Sequence, residues 1–326
     1  MTEPTPPRPG SSLFSMEGRA TPALFVIGWT ASVLGLALVL IGVLSGQSPG
    51  GPVVLVGGMA LLSIGLIAGA GSQAIDRRVR GGMAYHGPSP VLVFAVTIPI
   101  SYVVAFGVGL PLAFIAADID RPVAELLLIA LQAAVTLGVV RLVVVGTGGL
   151  SWAEIGFTRS TRTVMNDVAW GVVMAGPAIV LTIIASVLLV TIFAVAPASP
   201  LPPTGSAAGL VLHLVAGAIV APFAEEVMFR GVATTAWVRT SGVRAGIVRA
   251  ALLFGAAHVL LIGGDSAGQA FALAAVGFLG RLPVALILGW VFVRRRTIWA
   301  PCALHAVFNA ALIVLAELAM NAAPAG

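Results

Sequence analysis

Nine apolar runs follow one another along this chain with only short polar connections between them, and no other feature constrains the fold as strongly. They are Pro22 to Ser45, Val53 to Ala70, Val91 to Ala117, Glu125 to Val145, Ala169 to Val195, Ala207 to about Val232, Ala245 to Ile262, Ala270 to Val293 and Ile298 to Met320. Most meet or approach the ~20 residues a helix needs to cross ~30 Å of hydrocarbon. The chain therefore reads as an all-α integral membrane protein, a polytopic bundle of about nine transmembrane helices. With 59% hydrophobic and 9% charged residues and a mean hydropathy of +1.08, it departs far from the ~25% charge of a soluble domain. Gly and Pro do not weaken the helical reading, because membrane helices tolerate both.

The 17 basic residues are all Arg, and most of them sort onto alternate connections. Arg8 and Arg19 precede the first run; Arg77, Arg78 and Arg80 follow the second; Arg159 and Arg162 the fourth; Arg239 and Arg244 the sixth, with Arg249 just beyond; Arg294, Arg295 and Arg296 the eighth. The intervening connections hold only Arg121, flanked by Asp118 and Asp120. Arg-rich loops face the cytoplasm, so the expected topology is an inner-membrane, multi-pass protein with the N-terminus inside and the C-terminus outside. Short basic loops are not the basic face that nucleic-acid binding needs. The single cysteine, Cys302, can form no intramolecular disulfide.

Residues 1–20 offer almost nothing to bury and read as a disordered cytoplasmic tail. The first apolar run begins too late and is too long for a cleavable signal. The Pro-rich segment 196–206 is the expected boundary between an N-terminal transmembrane bundle, 21–204, and a C-terminal core, 205–320. Residues 146–168, with Trp152, Glu154 and Arg162, read as an interfacial segment containing a short amphipathic helix. Gly65 and Gly69 form a small-xxx-small pair suited to helix packing.

Ionisable residues inside hydrocarbon are costly and mark function by default. They concentrate in the last four runs. Glu226 and Arg230 are four apart on one helical face and suit a buried ion pair, whereas Glu225 points about 100° away and is free for other work. Phe254 with His258, and His305 with Asn309, repeat the same spacing on the seventh and ninth runs. Three helices can thus converge a carboxylate, two imidazoles and an amide on one pocket. A carboxylate can take a proton from water, imidazoles can assist it or bind a metal, and an amide with an imidazole can donate to a developing oxyanion. Read singly, Phe254 is a packing residue, Asn309 a bond between helices and His213 a core or channel histidine.

Taken in order, E-E-x-x-x-R (Glu225, Glu226, Arg230), F-x-x-x-H (Phe254, His258) and H-x-x-x-N (His305, Asn309) resemble the three motifs of the CPBP family, the CAAX proteases and bacteriocin-processing enzymes, also called Abi or Rce1-like. The similarity covers roughly residues 205–315. It implies a membrane-embedded endopeptidase acting on a membrane-associated protein or peptide. Glu225 resembles the base that activates water, His258 its partner, and His305 and Asn309 the residues on the oxyanion side. Relatives are usually called metallopeptidases. His258 and His305, with Glu225 as a third donor, are the residues a zinc ion could use, but no H-E-x-x-H is present and a metal-free glutamate mechanism serves equally. Arg281, two residues before Pro283, departs from the family's pattern. Two other readings share the fold: an ion- or proton-coupled transporter, which the lack of an inverted repeat disfavours, and a non-catalytic scaffold or immunity protein.

Overall fold

The structure is a computed structural model that describes residues 16–46, 48–115, 119–157, 160–196 and 201–322. The tail expected over residues 1–20 lies mostly outside them. The described residues contain helices and no strand: α1 Pro22–Leu44, α2 Gly51–Arg80, α3 Pro90–Ile115, α4 Arg121–Val139, α5 Trp152–Ile155, α6 Thr161–Phe193, α7 Ala207–Ser241, α8 Val243–Ala257, α9 Ala267–Arg295 and α10 Trp299–Ala322. Eight of them are long and apolar enough to cross a membrane, as expected of a polytopic helical membrane protein.

One helix falls short of the nine expected. The run Ala245 to Ile262 forms α8, only 15 residues long, or ~22 Å at 1.5 Å per residue. It lies antiparallel to the 29-residue α9, with Ile247 against Gly289, Phe278 against Gly255 and Val259 against Gly277. The turn after α8, extending to the N-cap Ser266, completes the passage along α9 that the helix alone does not. Only part of the apolar run Ala245 to Ile262 is helical.

The chain divides into two compact units, residues 1–107 with 141–149, and residues 108–140 with 150–326. The first is built on a tight hairpin. Gly28, Gly35 and Gly42 recur every seven residues along the buried face of α1, and a Cβ on Gly35 would come within 2.4 Å of the Leu62 backbone nitrogen in α2. From the other side, a Cβ on Gly65 would stand 2.4 Å from the Ser32 nitrogen, whereas one on Gly69 would meet nothing. Of the small-xxx-small pair, Gly65 therefore needs its missing side chain, and Gly69 serves by letting Gly28 approach its backbone. Asp76, buried on α2, accepts from Arg19 Nη1 at 3.1 Å and from the Ala20 amide at 2.8 Å. This ties the start of α1 to the end of α2.

In the second unit the core lies where α6, α9 and α10 meet, at Ala175, Ala178, Val284, Leu288, Val291, Ala300, Leu304 and Phe308. Asp167 on α6 bonds Arg295 Nε at 2.7 Å. Within residues 146–168, the segment expected to be interfacial, lies the four-residue helix α5. Its N-cap Ser151 and its Glu154 bond one another reciprocally in a capping box, and Arg239 at the end of α7 donates to Glu154 at 2.8 Å. Ile155 is fully buried against Gly231 of α7. Trp152, Phe157, Phe223 and Trp299 form a chain of ring contacts, each 5.4–6.4 Å between centroids.

Candidate active site

The 35-residue α7 is not a uniform helix. Two π-helical segments, Val215–Val220 and Val227–Thr234, bracket the α-helical stretch Ala221–Glu226 that ends in the paired glutamates. Each π segment widens the helix and shifts the angle at which later side chains emerge, a distortion common at functional sites. Pro222 near the start of the α-helical stretch lacks the N–H that a regular helix would use there.

Glu226 is completely buried, and one of its oxygens receives two bonds. Arg230 Nη1 donates to Oε1 at 2.8 Å, and His305 Nδ1 reaches the same atom at 2.7 Å. Oε2 has no partner among the described residues. The Arg230 guanidinium also lies 4.5 Å from the centre of the Phe254 ring, and that ring touches the imidazoles of His258 and His305 at 4.4 and 5.8 Å between centroids. Phe254 is thus the packing hub for both histidines. The ion pair expected from the spacing of Glu226 and Arg230 is present, with His305 as a third member that spacing within one helix cannot reveal.

Glu225 points elsewhere, toward both imidazoles. Its Oε1 is 3.9 Å from His258 Nε2 and its Oε2 is 3.8 Å from His305 Nε2. Glu225 and His258 keep side-chain exposures of 29% and 26%, whereas His305 keeps 5%, so the carboxylate is open on the His258 side. His258 Nδ1 is 2.8 Å from the Phe254 carbonyl oxygen. A carbonyl can only accept, so Nδ1 carries the hydrogen, and in the neutral ring Nε2 presents a lone pair toward Glu225. The structure thus brings Glu225, Glu226, Arg230, Phe254, His258 and His305 together.

Asn309 is placed differently. Its amide donates to the Gly217 carbonyl at 2.7 Å, in the first π segment of α7. It therefore ties α10 to α7 two turns before Glu225. The residue five on from Gly217 is Pro222, which has no N–H, and the Ala221 N–H goes to the Ala216 carbonyl, so this amide gives the Gly217 carbonyl a donor. His213 is a buried histidine, as expected of a core position, but it has a partner that the sequence did not suggest. Glu125 of α4 lies 2.7 Å from its Nε2, and Arg121 bonds the other oxygen of Glu125 at 2.9 Å. The only signal available was the four-residue spacing of Arg121 and Glu125 at a helix start. Arg281 on α9 donates to the Gly277 carbonyl one turn back, at 2.8 Å.

Among the described residues, no group of three His, Cys, Asp or Glu side chains is gathered closely enough to hold a metal ion.

Fold and site together define a polytopic helical membrane protein with a half-exposed carboxylate between two imidazoles inside its last helices. Residues 207–311 match the family described as type II CAAX prenyl endopeptidase, Rce1-like. The resemblance read from the three motifs holds for that segment, which is similar to this family over about a third of the chain. Neither the curated proteins nor the solved structures include a match to the chain.

Proposed function

We propose that the chain is an endopeptidase that hydrolyses a peptide bond within or near the membrane by glutamate-assisted attack of water. The observation that carries this reading is the position of Glu225, 3.9 and 3.8 Å from the facing nitrogens of His258 and His305. These gaps are too long for direct hydrogen bonds, and one water can bridge each. A water between Glu225 and His258 meets two acceptors, the carboxylate and the Nε2 lone pair, and so offers a hydrogen to each.

In the reaction, the water oxygen attacks the peptide carbonyl carbon and the released proton passes to Glu225. The carbonyl π electrons move onto oxygen, where the imidazolium form of His305, whose Nδ1–H stays on Glu226, donates its Nε2–H to the oxyanion. Collapse of the tetrahedral intermediate expels the amine, which takes the proton back from Glu225. Glu226 holds His305 by its Nδ1 and is itself held by Arg230. Asn309 fixes α10 against the π segment and sets the height of His305. These steps use only the chain's own groups, and none is routed through zinc.

The segment 207–311 supports a substrate that is a membrane-associated protein or peptide in the bilayer. The alternation of Arg-rich connections supports a multi-pass protein of the inner membrane, N-terminus in and C-terminus out, with α8 and the turn after it supplying the ninth traverse. The test is hydrolysis by the full chain in lipid nanodiscs: Glu225→Gln and His258→Ala each abolish it under this reading. Cleavage undiminished in both variants contradicts it. Solute uptake that fails in the same variants points to a transporter instead.

A further inference from the structure

Glu317 has no role in the hydrolysis proposed above and, like residues 201–206, lies outside the segment 207–311 that matches the family. It is buried near the end of α10, where a carboxylate is costly unless donors satisfy it. Three donors do so. The Thr204 amide reaches Oε2 at 2.9 Å, and the Gly205 amide and the Thr204 hydroxyl reach Oε1 at 2.6 and 3.4 Å. Gly205 has φ +70°, a left-handed conformation that favours glycine, and this turns two successive amides onto one carboxylate. Residues 201–206 are thereby held against α10 as a strap.

The strap acts on Gly217. Leu201 Cδ1 occupies the space beside that glycine, where an added Cβ would come within 2.6 Å of it and within 3.0 Å of Ile313 Cδ1. Gly217 is also the residue whose carbonyl Asn309 holds at 2.7 Å. His305, Asn309, Ile313 and Glu317 follow one another at steps of four and form one stripe of α10. From His305 to Glu317, about 18 Å along the helix, that stripe meets Glu226, then Gly217 twice, then the strap. At the level of Gly217 a second helix anchors α7, because Glu125 of α4 lies 2.7 Å from His213, one turn before the glycine. Loosening the strap therefore lets α10 shift against an anchored α7, and the shift carries Asn309 and His305 away from their places beside Gly217 and the two glutamates.

Resting on the protease reading, we propose that Glu317 is a positioning residue for the reaction: by holding the strap it seats Leu201 on Gly217 and keeps α10 at the height where Asn309 meets the Gly217 carbonyl and His305 faces Glu225.

The test uses the full chain in lipid nanodiscs with a quenched fluorescent S-farnesyl-cysteine peptide as probe. Glu317→Ala and Leu201→Ala break the strap at different points, the second without removing a charge. Each is expected to lower kcat about 10–100-fold while KM stays within about twofold, the pattern of a catalytic group displaced by about 1 Å. Gly217→Ala drives a methyl against Leu201 and lowers kcat by itself. Combined with Leu201→Ala, the new methyl fills the vacated space, and kcat rises above that of either single variant. Gly65→Ala in the α1–α2 hairpin is the stability control, with a lowered thermal midpoint and an unchanged kcat. If Glu317→Ala and Leu201→Ala behave like this control, or if the double variant is no faster than the single ones, the strap only stabilises the fold and the proposal is overturned. Should the wild type leave the probe uncleaved, the ring-nitrogen NMR signals of the four histidines decide, with His305 assigned through His305→Gln. Displaced His305 signals in both strap variants, with those of His86 unchanged, support the positioning although the hydrolysis reading has failed, and unchanged His305 signals overturn it.

Discussion

Arg230 and His305, contributed by two different helices, bond the same oxygen of Glu226 in a fully buried contact. Removing the charge of Glu226 leaves the Arg230 guanidinium buried without its partner, and breaking such a pair costs ~3–5 kcal/mol. Glu226→Gln should therefore lower the thermal midpoint of the detergent-solubilised chain sharply. Glu226→Gln combined with Arg230→Met should recover a substantial part of that loss, because no uncompensated charge remains. A double variant no more stable than the single one would show that the contact's geometry, and not its charge, holds the helices.

In the α1–α2 hairpin, two glycines four residues apart have opposite demands. Gly65→Ala forces a methyl to within 2.4 Å of the Ser32 backbone, whereas Gly69→Ala points into open space. The first should destabilise by ~1–3 kcal/mol, the range for overpacking, and the second should change little. Thermal melts of the two variants in the same detergent check this, and an equal loss in both would contradict the packing described.

Glu154 gives the account a pH dependence. Burial raises its proton affinity, but the Ser151 amide and hydroxyl together with Arg239 outweigh that and hold its carboxyl below the usual carboxylate range. A depressed folded-state pKa contributes stability at neutral pH, and that contribution is lost as pH falls through the acid range below about 4. Amide exchange of residues 151–157 should therefore speed up on acidification in the wild type and be fast and flatter with pH in Glu154→Gln. No difference between the two would mean that the capping box contributes nothing.

The metal question yields a direct expectation. On the metal-free glutamate mechanism proposed for Glu225, hydrolysis should persist after exhaustive treatment with a chelator and should not rise on adding zinc. Loss on chelation that is restored by zinc would require His258, His305 and Glu225 to rearrange around an ion.

Much of this was legible in the sequence, for identifiable reasons. The helical membrane class followed from apolar run length, and the ion pair of Glu226 with Arg230 from a four-residue spacing. Contacts between helices were not legible in the same way. Spacing could not say that His305 would share an oxygen with Arg230, that Asn309 would bond the Gly217 carbonyl, or that His213 would meet Glu125, 88 residues earlier. The seventh apolar run failed as a full-length helix because hydropathy measures the traverse and is blind to where its helix stops, one residue before His258. The π segments around Glu225 left no trace in composition, because a single extra residue in a turn changes the direction of side chains without changing their kind.

The central claim is that Glu225 takes a proton from an attacking water between the two imidazoles. The most direct test compares the membrane proteome of cells expressing the wild-type chain with that of cells expressing Glu225→Gln, by mass spectrometry of C-terminal peptides. A set of new C-terminal ends on membrane-associated proteins is expected in the first sample and is expected to disappear in the second, at equal levels of the two chains. Identical sets of ends in the two samples would contradict the claim.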